Sequence, residues 1–166
     1  MPDMESGIED ARKLSVTLAR VLREFSRDYD RRLVQGIQAR GHPDIRASHQ
    51  VVFANIGLGR TRVTELAERA RVTQQAMGKV LKELERLGYV ERAVDEEDRR
   101  ARAIRLTPRG TALMTDAVAV AREIDRFYAA RIGEEAFREL DTRLRDAVAR
   151  LELQHLPQAW STPPRD

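Results

Sequence analysis

The sequence has 166 residues, a formal net charge of +3, 34% charged residues and no cysteine. This length fits one domain with helical extensions, and the lack of cysteine excludes disulfides, thiolate zinc sites, cysteine nucleophiles and thiol-based redox sensing. The acidic N-terminus has no apolar core typical of a signal peptide, and no run of 18 apolar residues occurs. We therefore expect a cytoplasmic protein that does not span a membrane.

The first predicted element is a long amphipathic helix from about residue 8 to Ala39. Its apolar residues recur every three or four positions, and Gly41-His42-Pro43 supplies the stop. A shorter helix is expected from about Ala47 to Asn55. Together these two elements lead into the middle third of the chain.

A helix-turn-helix pattern follows. We expect Thr64 to cap a two-turn helix and Thr73 to cap a second, longer one, with Arg71 and Val72 as the tight connection between them. Gly88 is expected to end the second helix. The predicted buried stripe of that helix consists of Ala76, Val80, Leu84 and Leu87.

After the second helix the apolar period changes from that of a helix to that of a strand. Residues 89–92 and 103–106 predict two short strands, joined by the charged stretch 95–100. This pattern indicates a β-hairpin with a long charged tip, which is a wing.

Two helices are predicted after the wing. Thr107 and Pro108 begin the first as N-cap and first helical residue, and it runs to about Arg131. The last helix follows Gly133, and residues 154–166 are expected to form a flexible, proline-rich tail.

The basic residues are concentrated in the middle of the chain. Between Arg60 and Arg109 there are 13 Lys or Arg against 9 Asp or Glu, whereas the remaining residues hold 17 against 18. A polyanion partner is expected to bind where the positive excess lies. The alternative is that the many charges simply form a solvated surface.

Five motifs occur in a characteristic order along the chain. They resemble the MarR family of bacterial transcriptional regulators, and the resemblance covers about residues 8–152. It implies an obligate dimer formed by the terminal helices, a palindromic DNA operator, and release by a small, frequently aromatic or anionic, ligand. The motifs are Thr64-Glu65-Leu66-Ala67-Glu68, Thr73-Gln74-Gln75-Ala76, Leu87-Gly88-Tyr89-Val90-Glu91-Arg92, Asp95-Glu96-Glu97-Asp98-Arg99-Arg100 and Leu106-Thr107-Pro108-Arg109-Gly110.

The predicted fold is mainly α, with a winged helix-turn-helix core, a two-stranded β wing and long N- and C-terminal dimerisation helices. The expected helical dimerisation region comprises residues 8–41 and 108–153, and the expected DNA-binding domain comprises residues 45–107. No cofactor and no catalytic residue is expected, because the sequence lacks a phosphate-cradling glycine loop, a nucleophile elbow and a metal-ligand pair.

The start of the second helix of the helix-turn-helix is suited to a DNA groove. Glutamine makes bidentate bonds to adenine, threonine bonds phosphate or base, and no acid occurs from Thr73 to Lys82. Gly78 would let the helix approach DNA closely, or alternatively packs against a neighbouring helix. The candidate DNA-binding residues here are Thr73, Gln74, Gln75, Gly78, Lys79 and Lys82.

The wing supplies further candidates. Asp98 is placed to orient the guanidinium of Arg100 by a bidentate bond, and the resemblance implies that Arg100 enters the minor groove. The alternative is an ordinary surface ion pair. Arg99 is a candidate phosphate contact, and Arg102 completes the set of DNA-binding candidates.

The terminal helices have apolar stripes that are longer than a single small core can cover. Intersubunit packing would use them, although packing within one chain is the alternative. The candidate dimer-interface residues are Leu14, Leu18, Leu140, Leu144, Val148 and Leu151.

A ligand pocket is implied between the dimerisation helices and the DNA-binding core. Its candidate residues are Phe25, Tyr29, Phe53 and Met114, which are equally typical of ordinary core. His42 and His49 lie close in sequence, but no full metal-ligand set accompanies them, so we expect a surface role and no metal.

We predict a sequence-specific DNA-binding regulator, a dimeric repressor released by a small ligand. Two alternatives remain open: a winged-helix module for protein–protein interaction, and a non-specific DNA-architectural protein without ligand response. The glutamines favour base reading over the second, because non-specific binders rely on Lys and Arg.

Overall fold

The computed structural model of the protein describes residues 13, 17–57, 59–94 and 102–153. The fold is mainly α, with a winged helix-turn-helix core between long helices, as predicted. The helices are α1 (Leu18–Ala39), α2 (Gln50–Phe53), α3 (Val63–Arg69), α4 (Gln74–Arg86), α5 (Pro108–Ile132) and α6 (Glu134–Arg150). A 3-10 turn, Ala47–His49, leads directly into α2, and the strands are β1 (Thr61–Arg62), β2 (Val90–Val94) and β3 (Arg102–Leu106).

The sheet is antiparallel and has one strand more than predicted. Its order is β1-β3-β2, with Val90 opposite Leu106 at the base of the wing and Thr61 opposite Ile104 on the other side of β3. The extra strand β1 has only two residues, which is too short for an alternating pattern to be visible in the sequence. The predicted charged tip of the wing, 95–100, lies outside the described residues.

The helix boundaries follow the predicted stop and start signals with one exception. Gly41 and Gly133 both have φ near +100°, a conformation that favours glycine, and they end α1 and α5. The Thr107 hydroxyl accepts from the N–H of Gly110 at 3.1 Å and caps α5. The predicted cap at Thr64 is wrong, because α3 begins at Val63 without a side-chain cap.

Two segments of the predicted layout cannot be compared with the structure. The predicted start of the N-terminal helix, near residue 8, and the predicted tail, 154–166, lie outside the described residues. Within the described part of the chain, no helix is both long enough and apolar enough to cross a membrane.

The turn between α3 and α4 contains an arginine in the left-handed region. Arg71 has φ +53°, and the following N–H of Val72 donates to the carbonyl of Ala67 at 3.0 Å. This conformation normally favours glycine and costs a side-chain-bearing residue about 1–2 kcal/mol. Thr73 then caps α4 by accepting from the N–H of Ala76 at 3.1 Å, as predicted.

The buried face of α4 is rotated from the predicted one. Met77, Leu81 and Leu84 are buried, whereas Ala76 is exposed and Val80 is half-buried. The prediction treated Ala76 as the first core residue, but the larger Met77 takes that place because it buries more apolar area. These side chains join one hydrophobic core that extends from the end of α1 to α5.

Both described histidines are buried, so the predicted surface role is wrong. His42 lies between the Tyr89 hydroxyl (Nδ1 to Oη, 3.2 Å) and Asp116 (Nε2 to Oδ2, 3.0 Å). His49 accepts at Nδ1 from the N–H of Arg46 at 3.2 Å. The polar neighbours of His42 explain how that ring tolerates burial, whereas Nε2 of His49 has no hydrogen bond of ordinary geometry among the described residues. Among the described residues, no three His, Asp or Glu side chains come close enough to hold a metal ion.

Candidate DNA-binding interface

Helix α4 is fixed at both ends. Thr73 caps its start, and its end has the two crossed hydrogen bonds of a Schellman motif, from Gly88 N–H to Glu85 at 3.0 Å and from Tyr89 N–H to Leu84 at 2.9 Å. Gly88 has φ +78°, and Tyr89 is completely buried. Both ends of the helix are therefore defined by local hydrogen bonds.

The face of α4 opposite the core is exposed and polar. Gln74, Gln75, Lys79 and Lys82 are all exposed, and within the described residues their side chains make no hydrogen bond or ion pair. Thr73 is also exposed, and its hydroxyl hydrogen is free of the capping bond, which uses the oxygen as acceptor. The structure thus brings the six helix candidates together around one exposed surface, which we call the α4 face.

Gly78 lies on the α4 face with open space above it. A Cβ added there would meet no atom within 4 Å in the described structure. Packing against a neighbouring helix therefore does not explain this glycine. The remaining interpretation, a position cleared for close approach by a partner, is consistent with this geometry.

Arg86 is a residue of the α4 face that the sequence analysis missed. It is exposed and follows Gln75, Lys79 and Lys82 at i+11, i+7 and i+4 spacing, so it continues the same stripe. The spacing of Arg86 is visible in the sequence, but the residue lies beyond the segment without acids, 73–82, from which the candidates were taken. The stripe therefore ends in a third cation.

The wing candidates are only partly visible. Asp98, Arg99 and Arg100 lie outside the described residues, and of Arg102 only the backbone is described, paired with Val94 in the sheet. The guanidinium of Arg60 donates to the carbonyl of Val94 at 2.9 Å. This bond ties the end of β2 that leads into the wing tip to the residue before β1.

The motif Leu106–Gly110 joins the end of α4 to the start of α5. The Thr107 hydroxyl donates to the carbonyl of Gly88 at 2.6 Å, and the Thr107 N–H donates to that of Tyr89 at 3.1 Å. A Cβ on Gly110 would lie 2.1 Å from the Tyr89 carbonyl oxygen. Only glycine allows this close contact, so packing within the chain explains the glycine of this motif.

Arg109 strengthens the same junction and was not singled out from the sequence. It donates to the carbonyl of Leu87 at 2.6 Å, and its guanidinium carbon lies 4.3 Å from the centre of the Tyr89 ring. Burial raises the pKa of the Tyr89 hydroxyl. Arg109 therefore holds the last carbonyls of α4 rather than pointing freely towards a partner.

The candidate dimer residues are largely exposed within one chain. Leu18 is 72% and Leu151 66% exposed, Leu140 and Leu144 are also exposed, and Val148 is half-buried. No residue of α6 is buried. Leu14 lies outside the described residues. Further exposed apolar side chains on the same helical region are Val21, Leu22, Phe25, Ile132 and Leu153.

The candidate pocket residues divide between two aromatic groups. Phe25 and Tyr29 contact Tyr128, with ring centroids 4.8 and 6.4 Å apart, whereas Phe53 contacts Tyr89 at 6.2 Å. Met114 is half-buried against the core. Tyr128, which links α5 to α1, was predicted on the apolar face of α5 but was not among the pocket candidates.

A polar network surrounds Tyr128. Its hydroxyl donates to Asp28 at 2.9 Å, and the Arg32 Nε donates to the same carboxylate at 2.7 Å. The bond from Arg32, followed by the bond from Tyr128, lowers the pKa of Asp28 to about 2. Burial, followed by the hydrogen bond to Asp28, raises the pKa of Tyr128 to about 12. Arg32 also lies over the Phe127 ring at 3.7 Å.

Solved structures share this fold. Escherichia coli MarR in its apo form superposes with a TM-score of 0.67 at 20% identity, covering 80% of this chain and 98% of that one. A mutant of E. coli MarR complexed with operator DNA gives 0.63 at 20% identity, covering 80% and 94%. The Mycobacterium tuberculosis MarR family protein Rv2887, complexed with salicylic acid, gives 0.61 at 28% identity, covering 80% and 96%.

The sequence comparisons point the same way. No curated protein matches the chain significantly. A family model described as the MarR family matches residues 46–101, from the 3-10 turn through α4 to the wing. The chain therefore shares its fold with MarR-family regulators over four-fifths of its length, and its winged-helix region matches the model of that family.

Proposed function

We propose that the protein is a cytoplasmic, dimeric transcriptional regulator that binds a specific DNA operator, and that it is not an enzyme. The observation that carries this proposal is the α4 face: exposed amides and cations, without internal partners in the described structure, on a helix that is capped at both ends. The relative of the same fold complexed with operator DNA supports it.

In this proposal α4 enters the major groove by its N-terminal turns. Gln74 and Gln75 would bond adenine edges, and Thr73 would bond phosphate or base. The cations Lys79, Lys82 and Arg86 would bond phosphates, which fix the register of the helix on the duplex. Gly78 would allow the helix backbone to approach the DNA.

The wing would contact the adjacent minor groove. Arg100, oriented by Asp98, would insert where the groove is narrow, since A·T-rich sequence has a stronger negative potential there. Arg99 and Arg102 would contact phosphates. These three contacts would add to the affinity supplied by the α4 face.

A homodimer would bury the apolar residues that one chain leaves exposed. The helical region at 8–41 and 108–153 would form the interface, with Leu18, Leu144 and Leu151 at its centre, and residues 45–107 would form the DNA-binding domain. A two-fold axis would present two α4 helices to half-sites about 34 Å apart, one turn of the duplex.

Release by a small ligand would make the regulator a repressor with an inducer. The relative complexed with salicylic acid supports a small aromatic anion as the ligand class. The candidate pocket residues are Phe25, Tyr29, Phe53 and Met114. We propose that a ligand among them would shift α1 and α5 relative to the DNA-binding core.

The test is selection of duplexes from a randomised library, followed by anisotropy with the selected and a scrambled duplex at two salt concentrations. Preferential binding of the selected duplex supports the proposal. Equal affinity for both would indicate a non-specific architectural protein, and no affinity for either would indicate a protein–protein module.

Single variants then test the residue assignments. Arg100→Ala should weaken binding by about 1–3 kcal/mol, and Gln75→Ala should relax base preference at one position of each half-site. Arg143→Ala is the matched control, because it removes an exposed cation from α6, where Arg143 faces Glu139 at 3.7 Å. If Arg100→Ala and Arg143→Ala weaken binding equally, the proposed wing contact is wrong.

A further inference from the structure

A completely buried histidine lies next to the DNA-facing helix. His49 ends the 3-10 turn and has no exposed surface. Its Nδ1 accepts from the N–H of Arg46, so the proton of the neutral ring is on Nε2. That Nε2 lies 3.3 Å from a carboxylate oxygen of Glu83.

Among the described residues, the buried His49 Nε2 has no hydrogen bond of ordinary geometry, and Glu83 is its only nearby carboxylate. A buried donor without an acceptor is unfavourable, so the ring stabilises the position of Glu83 that keeps its oxygen close. The same carboxylate also faces the Arg46 guanidinium at 3.7 Å.

Glu83 occupies a position on α4 from which it can control the helix orientation. It follows Lys79 by one turn and Lys82 by one residue, so it borders the α4 face. On the other side of the helix, Met77, Leu81 and Leu84 anchor α4 in the core. Apolar contacts are non-directional, whereas the contact between the ring nitrogen and the carboxylate has a direction. His49 lowers the pKa of Glu83, which keeps this carboxylate charged.

We propose that His49 is a positioning residue for DNA recognition. Through Glu83 it sets the rotation of α4 about its axis, and thereby the alignment of Gln74 and Gln75 with base edges. The inference rests on the proposed function, and it adds a determinant of operator discrimination that does not touch DNA. Phosphate contacts tolerate a small rotation of the helix, whereas bidentate base contacts do not.

Two substitutions separate the two polar contacts of the ring. In His49→Asn the amide oxygen takes the place of Nδ1 and accepts from the N–H of Arg46, but no polar atom reaches Glu83. In His49→Gln the amide nitrogen takes the place of Nε2 beside Glu83, but the hydrogen bond from Arg46 is lost. Each variant loses one polar contact, so the two serve as matched controls.

The measured quantity is the ratio of the dissociation constants for a scrambled duplex and for the duplex that the wild-type protein selects from a random library. It is measured well below the melting temperature of each variant. We expect His49→Asn to lower this ratio about tenfold, roughly the loss of one good base contact. We expect His49→Gln to stay within about threefold of wild type. Equal ratios in both variants, with only the melting temperature reduced, would overturn the positioning role.

A second pair of variants leaves the buried histidine itself unchanged. Glu83→Ala should lower the ratio as His49→Asn does, and the double variant should lower it no further. Glu85→Ala removes the same charge from the same helix, but its carboxylate faces Arg92 at 3.1 Å, and the ratio should not change. Equal effects of Glu83→Ala and Glu85→Ala would overturn the proposal. If the wild-type protein selects no sequence, the proposed function itself fails, and the positioning role with it.

Discussion

The winged-helix core and the terminal helices differ in how far they bury their apolar residues. In the core, Leu66, Met77 and Leu84 are completely buried. In the terminal region, Leu18 and Leu151 are each more than 60% exposed, although α6 is as long and as amphipathic as an ordinary core helix. The core is stabilised within one chain, whereas the terminal helices have an apolar surface that a second molecule would have to cover.

This difference teaches that apolar periodicity alone does not show what an apolar face packs against. The stripes of α4 and α6 have the same spacing, yet Met77, Leu81 and Leu84 of α4 are buried, whereas no residue of α6 is. The region around Asp28 and Tyr128 is intermediate, because there the terminal helices are joined to each other by polar bonds. Three predictions test the contrast.

The largest expected effect comes from paired leucine truncations. Leu84→Ala should lower the free energy of unfolding by about 2–5 kcal/mol at every protein concentration, because it leaves a cavity in the core. Leu144→Ala should hardly change the unfolding of the monomer, but should raise the dimer dissociation constant. Urea unfolding at several concentrations, with sedimentation equilibrium, distinguishes them. A Leu144→Ala effect that is independent of concentration would contradict the comparison.

Paired glycine substitutions should have smaller and opposite effects. Gly110→Ala should destabilise the protein by about 1–3 kcal/mol or more, because its methyl group would collide with the Tyr89 carbonyl. Gly78→Ala should stabilise it by up to about 1 kcal/mol, since nothing opposes the methyl group and alanine favours a helix. Thermal unfolding measures both. Gly78→Ala should also weaken binding to the selected duplex, and unchanged affinity would contradict a close approach at this position.

The smallest expected effect is on the pH dependence of stability, through the hydrogen bonds that Asp28 of α1 accepts from Arg32 and from Tyr128 of α5. The pKa of Asp28 is lowered to about 2 in the folded chain, so its bonds to Arg32 and Tyr128 stabilise the fold above the ordinary pKa near 3.8. That contribution is lost as the pH falls from about 4 towards 2. The difference in unfolding free energy between wild type and Asp28→Asn should therefore shrink over this window. A difference that stays constant with pH would show that the charge of Asp28 does not contribute to the stability of the fold.

Much of the fold was predictable because its signals are local. Thr73, Gly88, Thr107 and Gly133 each act through a cap or a turn within a few residues, and the structure confirms all four. The exposed residues of the α4 face, except Arg86, were likewise identified from composition and spacing. Such features need no knowledge of distant contacts.

The features that were missed depend on contacts between distant residues. The strand β1 exists because it pairs with β3, 40 residues further along the chain. His42 is buried beside Tyr89 and Asp116, and His49 is buried beside Glu83, so both depend on residues from other elements. The buried face of α4 was predicted wrongly because a simple apolar pattern gives alanine and methionine equal weight, whereas Met77 is buried and Ala76 is exposed. In each case the deciding partner lies on another element.

The left-handed arginine in the turn of the helix-turn-helix has a consequence for engineering. Arg71 holds a strained conformation that glycine would adopt without strain, at a turn directly beside the start of α4. Replacement by glycine would relax the backbone and also remove a cation from that end of the helix. A single substitution at this turn would therefore change both the thermal stability and the local positive charge, without changing the core or the side chains of the α4 face.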